Sequence, residues 1–119
     1  MPLDDTDESM MRLAIAASRD AARLGDMPFG AASLRGSTVY ASGEPCAMCC
    51  GVLFWAGVGR VVYAASTARI GEILGDPRLP IDSRAVLAGA SPAVHVDGPL
   101  LGDEAAAVLR DFAEGRPGG

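Results

Sequence analysis

The sequence contains no lysine and a single histidine, His95. All ten basic residues are arginines, set against fifteen acidic ones, for a formal charge of −5 and a pI near 4.6. A protein built to grip a phosphate backbone carries the opposite sign, so the balance argues against a nucleic-acid partner and against an anionic membrane surface. Aromatic residues are only 5% of the chain, which leaves Ala, Val and Leu to do the packing. The first nine residues are acidic and hold no apolar stretch, so they do not read as a secretory signal. The longest charge-free run is the fifteen residues from Pro45 to Gly59, laced with glycine and too short for a membrane span. Cysteine is scarce as well. The three present, Cys46, Cys49 and Cys50, lie within five residues, which excludes a secreted disulfide framework and points to a metal or redox site in the reducing cytoplasm.

What is present is the material of one domain. The chain has 119 residues, 50% of them hydrophobic and 21% charged, with positive mean hydropathy. Such a chain buries a core and does not stay disordered. A single domain over 1–119 is expected, with 115–119 as a flexible tail.

The hydrophobic pattern alternates helices with short strands. Residues 7 to 24 are predicted helical, with Met10, Leu13, Ala14, Ala17, Ala21 and Leu24 on one face. Phe29–Ala32 reads as a short strand, Ser33–Gly36 as a turn-like link and Thr38–Ala41 as a second strand broken by Gly43. Pro45 suits the first position of a helix, which then runs to Ala56 without one polar residue. A helix lacking a polar face is normally buried on all sides, or partly against a second subunit. Arg60–Ala64 is the clearest strand. Ser66–Leu74 and Asp82–Ala88 read as short helices, Ala93–Val96 as a weak strand, and Asp103–Glu114 as an amphipathic helix with Ala105, Val108, Leu109 and Phe112 on its apolar side. The sum is an α/β domain with helices on both faces of a small sheet. One place is irregular: the strands between 29 and 41 are joined by about half a dozen residues, the length of a hairpin and not of a crossover helix.

The cysteines follow a strand and open a helix. Amide N–H groups and the helix dipole favour the thiolate there, and thiolate is the form that binds zinc. Cys46 and Cys49 lie one turn apart, and Cys50 falls near the same side, so helix geometry alone leaves the second ligand open between Cys49 and Cys50. The same spacing also suits a dithiol redox site.

The run Glu44-Pro-Cys-Ala-Met-Cys49, followed by Phe54-Trp-Ala-Gly-Val-Gly-Arg-Val-Val-Tyr63, resembles the zinc-binding half of the cytidine-deaminase superfamily. The guanine-deaminase and tRNA-adenosine-deaminase branch is the nearest in pattern. The segment Met11–Ala17 leading to Met27-Pro-Phe-Gly-Ala31 is similar to the opening of that family, so the likeness covers roughly residues 8 to 70. It implies a three-layer α/β/α fold with a small mixed sheet and a hydrolytic deaminase. The activity implied is on the exocyclic amine of a nucleobase, nucleoside or similar small, purine-like heterocycle. It implies Zn2+ as cofactor, Cys46 and Cys49 as metal ligands, and Phe29 and Trp55 near the substrate. Glu44 matches the acidic residue ahead of the motif proline and not the proton shuttle. A homodimer is also implied.

The family signature is H-x-E followed by P-C-x-x-C. No His-x-Glu exists in this chain, because the one histidine is followed by Val96 and Asp97 and lies beyond the cysteines. The resemblance therefore implies that about one strand and one helix of the family pattern are missing between Ala32 and Ser33. It leaves no catalytic residue to name and little or no activity to expect from these residues alone. A structural zinc module, with Cys50, His95 or a second subunit adding ligands, and a thiol redox protein are the alternative readings.

Overall fold

The computed structural model describes residues 3–23, 31–34 and 38–115. In chain order they form α1 (Asp5–Arg23), β1 (Ala31–Leu34), β2 (Thr38–Gly43), α2 (Ala47–Trp55), β3 (Arg60–Ala65), α3 (Thr67–Leu74), α4 (Ser83–Leu87), β4 (His95–Asp97) and α5 (Gly102–Glu114). The expected alternation of helix and strand is present. The expected link Ser33–Gly36 is not: Ser33 and Leu34 continue β1, because their backbones pair with Val39 and Thr38. Residues 35–37 lie outside the described residues.

The sheet is mixed, in the order β1-β2-β3-β4, with β1 antiparallel to β2 and the other three strands parallel. Side chains alternate between its faces. Tyr40, Val62 and Ala64 meet Met11, Ala14, Ile15, Ile70, Ala105, Val108 and Leu109 on the face covered by α1, α3 and α5. Val61 faces the other way, onto Cys50 and Leu87 from α2 and α4. These are the three layers implied by the resemblance.

Helix α1 presents a different stripe from the one expected. Met11, Ala14, Ile15 and Ser18 are buried, while Leu13 is 60% exposed and Ala17 is exposed. The rotation has an electrostatic cause. Asp7 shares the buried face with Met11, Ala14 and Ser18 and is itself buried. Its carboxylate takes two bonds from Arg60, Nη1 to Oδ1 at 2.8 Å and Nη2 to Oδ2 at 3.1 Å, and a third from the Tyr40 hydroxyl at 2.5 Å. Arg60 Nε also donates to Asp97 Oδ2 at 2.8 Å, so one guanidinium ties the first helix to β3 and β4. Asp4 and Asp7 exchange backbone-to-carboxylate bonds in the manner of a capping box.

One glycine is sterically required. Gly98 has φ 151°, and a Cβ there would stand 2.7 Å from the Tyr63 carbonyl oxygen.

Burial pushes the Asp7 carboxyl up, but the bonds from Arg60, Tyr40 and the Asp4 amide outweigh it and hold its pKa below the ordinary value. Burial, then Asp7, pushes Tyr40 up to about 12, which keeps it a donor. A carboxyl with a depressed folded pKa stabilises the fold fully above its unfolded pKa, and that contribution is lost as pH falls through the folded value. Asp7→Ala is expected to cost about 3 kcal/mol in urea unfolding at neutral pH, because it strips a buried guanidinium of its main partner. The difference from the native chain should shrink in acid. An equal cost at pH 7 and pH 3 would contradict this account.

Candidate metal centre

The two parallel strands β2 and β3 end level with each other, Gly43 beside Ala65. The Glu44 amide donates to Ala65 O at 2.8 Å, extending the ladder by one bond. The Glu44 side chain then turns inward and is buried. Oε1 accepts from the Thr67 amide at 2.8 Å, and Oε2 accepts from the Ser83 amide at 2.8 Å and its hydroxyl at 2.5 Å. Thr67 and Ser83 are the first residues of α3 and α4, whose opening amides have no partner within their own helices. One carboxylate therefore holds the exit of β2, the entry of α3 and the entry of α4 together, and fixes where the next two residues, Pro45 and Cys46, can go.

Helix α2 starts later than the sequence suggests. Cys46 has φ −70° and ψ 171°, extended backbone, and is the N-cap. Pro45 therefore precedes the helix and is not its first residue. This placement separates the three thiols. Cys50, one turn in, is fully buried against Val61 and Leu87, and its thiol donates to the Pro45 carbonyl at 3.5 Å. Cys46 and Cys49 are both exposed. Cys49, and not Cys50, therefore shares the exposed side with Cys46.

The pair shares a proton unequally. The Cys46 side chain closes no cap hydrogen bond, yet the Cys49 amide, and behind it the Met48 amide, face the sulfur. The Cys49 amide lowers the Cys46 pKa most, and with the Cys49 thiol and the Met48 amide it outweighs the opposing effect of burial. Cys49 is raised in turn, first because its thiol donates to Cys46, then by burial. Burial, followed by the charges of Cys46 and Glu44, pushes Cys50 up to about 11.

His95 is not with them. It pairs with Arg60, which pairs with Thr38, so it sits level with the start of β2 while the cysteines follow its end. Five residues of strand separate the two levels, about 17 Å. Its surroundings are Arg84, Leu87 and Ala93, around a cleft of about 360 Å3 that contains neither Cys46 nor Cys49. Trp55 closes α2, 85% exposed, its ring edge-on to Phe54 at 5.1 Å and 78°. Phe29, the other residue matched to the substrate pocket, lies outside the described residues. The signal missed in the sequence is Glu44, whose partners are 23 and 39 residues away.

The description "Cytidine and deoxycytidylate deaminase zinc-binding region" matches residues 30–65, which span β1, β2, the cysteine turn, α2 and β3. Residues 30–65 thus match a cytidine-deaminase-type zinc-binding region. A protein of Schizosaccharomyces pombe (strain 972 / ATCC 24843) named "Probable cytosine deaminase" is 40% identical over 85 residues, 66% of this chain and 51% of its own length. The chain thus spans about half the length of that curated relative. Among solved structures, NE0047 in complex with 2,6-diaminopurine superposes with a TM-score of 0.78 at 20% identity, covering 98% of this chain and 86% of the other. The guanine deaminase from Nitrosomonas europaea superposes with a TM-score of 0.74 at 21% identity, over 96% and 87%. At that identity the likeness shows the fold. The superfamily is one of hydrolytic deaminases, and the matched region is its zinc-binding region.

The donor set fits a hydrolytic zinc centre only in part. Catalytic zinc keeps three protein ligands and one open position. Here two thiols converge, and no group of three or more His, Cys, Asp or Glu side chains gathers among the described residues. The sequence contains no His-x-Glu. Two sulfurs at an exposed helix start are half of a site.

Two outcomes follow. In the metal-free native protein, two thiols should react quickly with a disulfide reagent, and the third, Cys50, only on unfolding; three equally fast thiols would refute the assignment. Glu44→Ala should cost about 2–4 kcal/mol by unmaking three buried bonds, with Glu44→Gln intermediate, since one of its two side-chain atoms still accepts. A loss under 0.5 kcal/mol for Glu44→Ala would show that the staple does not hold.

Proposed function

We propose that the chain is the scaffold of a zinc-dependent aminohydrolase acting on the exocyclic amine of a nucleobase, nucleoside or similar small heterocycle, of purine-like kind. The observation that carries this reading is Cys46 and Cys49 side by side at the strand-to-helix turn of a matched zinc-binding region. The named activities of the relatives, cytosine deaminase and guanine deaminase, and a neighbour's complex with 2,6-diaminopurine support the ring substrate. Phe29 and Trp55 are assigned to its binding surface by their match to the family pattern, and the acidic charge favours a free small molecule over a nucleic acid. Three free cysteines suit the cytoplasm. No described helix is long and apolar enough to cross a membrane.

The same chain lacks the means to turn substrate over. No histidine stands near the thiols to complete a catalytic ligand set, and no His-x-Glu supplies the carboxylate that would move the proton. One copy is therefore expected to hold zinc weakly and to release little or no ammonia.

A second reading has its own support. The unequal sharing of a proton between Cys46 and Cys49 is what a dithiol redox pair displays. A non-catalytic zinc module uses the same two sulfurs.

The test is an ammonia-release assay on guanine, cytosine and adenosine, with zinc supplied and the 119-residue mass confirmed. No release above the buffer rate is expected. Turnover at an ordinary enzymatic rate of about 1 per second or more would overturn the claim of inactivity. Reversible formation of a Cys46–Cys49 disulfide with no zinc uptake would favour the redox reading.

A further inference from the structure

We propose that Cys46 and Cys49 form a dithiol that exchanges with small disulfides of low charge, closing reversibly to an intrachain disulfide across the first turn of α2. The inference deepens the dithiol reading of that turn. It starts from a misfit: two thiols meet there, and no group of three or more metal-binding side chains gathers among the described residues.

The first argument is placement. Strands β2 and β3 are parallel neighbours, and α2 is the crossover between them. A Cys-x-x-Cys pair opening the helix of such a βαβ unit is where dithiol exchange is carried out. Cys46 is the N-cap, in extended backbone, and Cys49 follows three residues on, in the first turn. These are the two positions of a capping box, whose side chains reach back toward each other. Here both side chains are exposed thiols, and that of Cys49 donates to the Cys46 sulfur. Sulfurs in hydrogen-bond contact are within reach of a disulfide by side-chain rotation.

The second argument is isolation of the pair. Cys50 has no exposed surface, packs against Val61 and Leu87, and gives its proton to the Pro45 carbonyl. The chain ahead of Cys46 is held by Glu44 through Thr67 and Ser83, and the Pro45 ring fixes φ between them. The two outer sulfurs therefore meet each other and not the third.

The third argument selects the substrate. Pro45 to Gly59 carries no charge, in a chain of formal charge −5. An anionic disulfide finds no counter-charge on this segment and a like charge around it. A neutral disulfide finds exposed apolar surface beside Cys49, where Met48 is 76% exposed and Val52 64%.

The exchange balances without metal. One thiolate of the pair attacks a sulfur of the small disulfide, whose S–S bond breaks. One small thiol leaves with the electron pair and takes up a proton, and a mixed disulfide stays on the protein. The second thiol gives its proton to solvent and attacks the protein sulfur of that bond, releasing the other small thiol. The protein loses two electrons and two protons, and the small disulfide gains them.

The test uses the full reduced chain, freed of metal, with bis(2-hydroxyethyl) disulfide at about 1 mM near pH 8, where any exposed thiol is partly ionised. Intact mass and linked peptides are read. Ring closure is intramolecular, so loss of two hydrogens with a Cys46–Cys49 link should exceed the mixed disulfide roughly tenfold or more. Dithiothreitol should restore the starting mass. Cys49→Ser, at an exposed position, should instead accumulate the mixed disulfide on Cys46. Glutathione disulfide, which is anionic, should react roughly threefold more slowly or worse once each rate is divided by that with free cysteine. Equal rates overturn the substrate class while leaving the dithiol. A lasting mixed disulfide in the native chain, links through Cys50, or a Cys49→Ser variant that behaves as the native chain overturns the dithiol. None of these outcomes bears on ammonia release, by which the aminohydrolase reading is judged separately.

Discussion

The Glu44 carboxylate is the constraint on which the rest of the site depends. It is one residue past the end of β2, buried, and bonded to the opening amides of the two successive helices that follow β3. Without it, the starts of α3 and α4 would have to find other acceptors in a region with no water to offer. With it, the exit of β2 and the starts of α3 and α4 are locked in one arrangement. Pro45 follows directly, with a fixed φ, and the extended Cys46 turns the chain into α2. The position of the two exposed thiols is therefore inherited from a buried charge rather than set by contacts of their own.

A second buried carboxylate does the same work at the other end of the sheet. Asp7 gathers Arg60 and Tyr40, and Arg60 reaches on to Asp97. The two clusters divide the labour. Asp7 joins α1 to the start of β3, Glu44 joins the ends of β2 and β3 to the helices beyond them, and the parallel pair β2–β3 runs between. No buried side-chain nitrogen or oxygen among the described residues lacks a partner. The described interior is satisfied as it stands, and the unsatisfied chemistry is at the surface, in two thiols and one apolar helix face.

Much of this was legible in the residues. The apolar run Arg60–Ala64 and the short helical stretch Asp82–Ala88 located their elements to within a residue or two, because each depends on neighbours in sequence. The cysteine spacing located the strand-to-helix turn for the same reason. What could not be read depends on partners far along the chain. The burial of Asp7, which turns α1 away from Leu13, is decided by Arg60. The role of Glu44 is decided by Thr67 and Ser83. The exposure of α2 is illegible for a different reason: a helix with no polar residue carries no mark of which side faces solvent, and only the position of Val61, Leu87 and the sheet selects Cys50 as the inner thiol. That selection also settles which cysteine stands beside Cys46.

The missing histidine and the uncovered face of α2 are best understood together. In a layered fold a helix beside a sheet is covered by its neighbours on that layer, and among the described residues α2 packs chiefly against α4. A chain shorter by a strand and a helix than its family pattern would be expected to lose both a covering element and whatever ligand that element bore. The two deficits fall at one place, at the start and along the outer side of the same nine-residue helix. The apolar area on that outer side, Met48, Val52 and Trp55, is costly to leave in water.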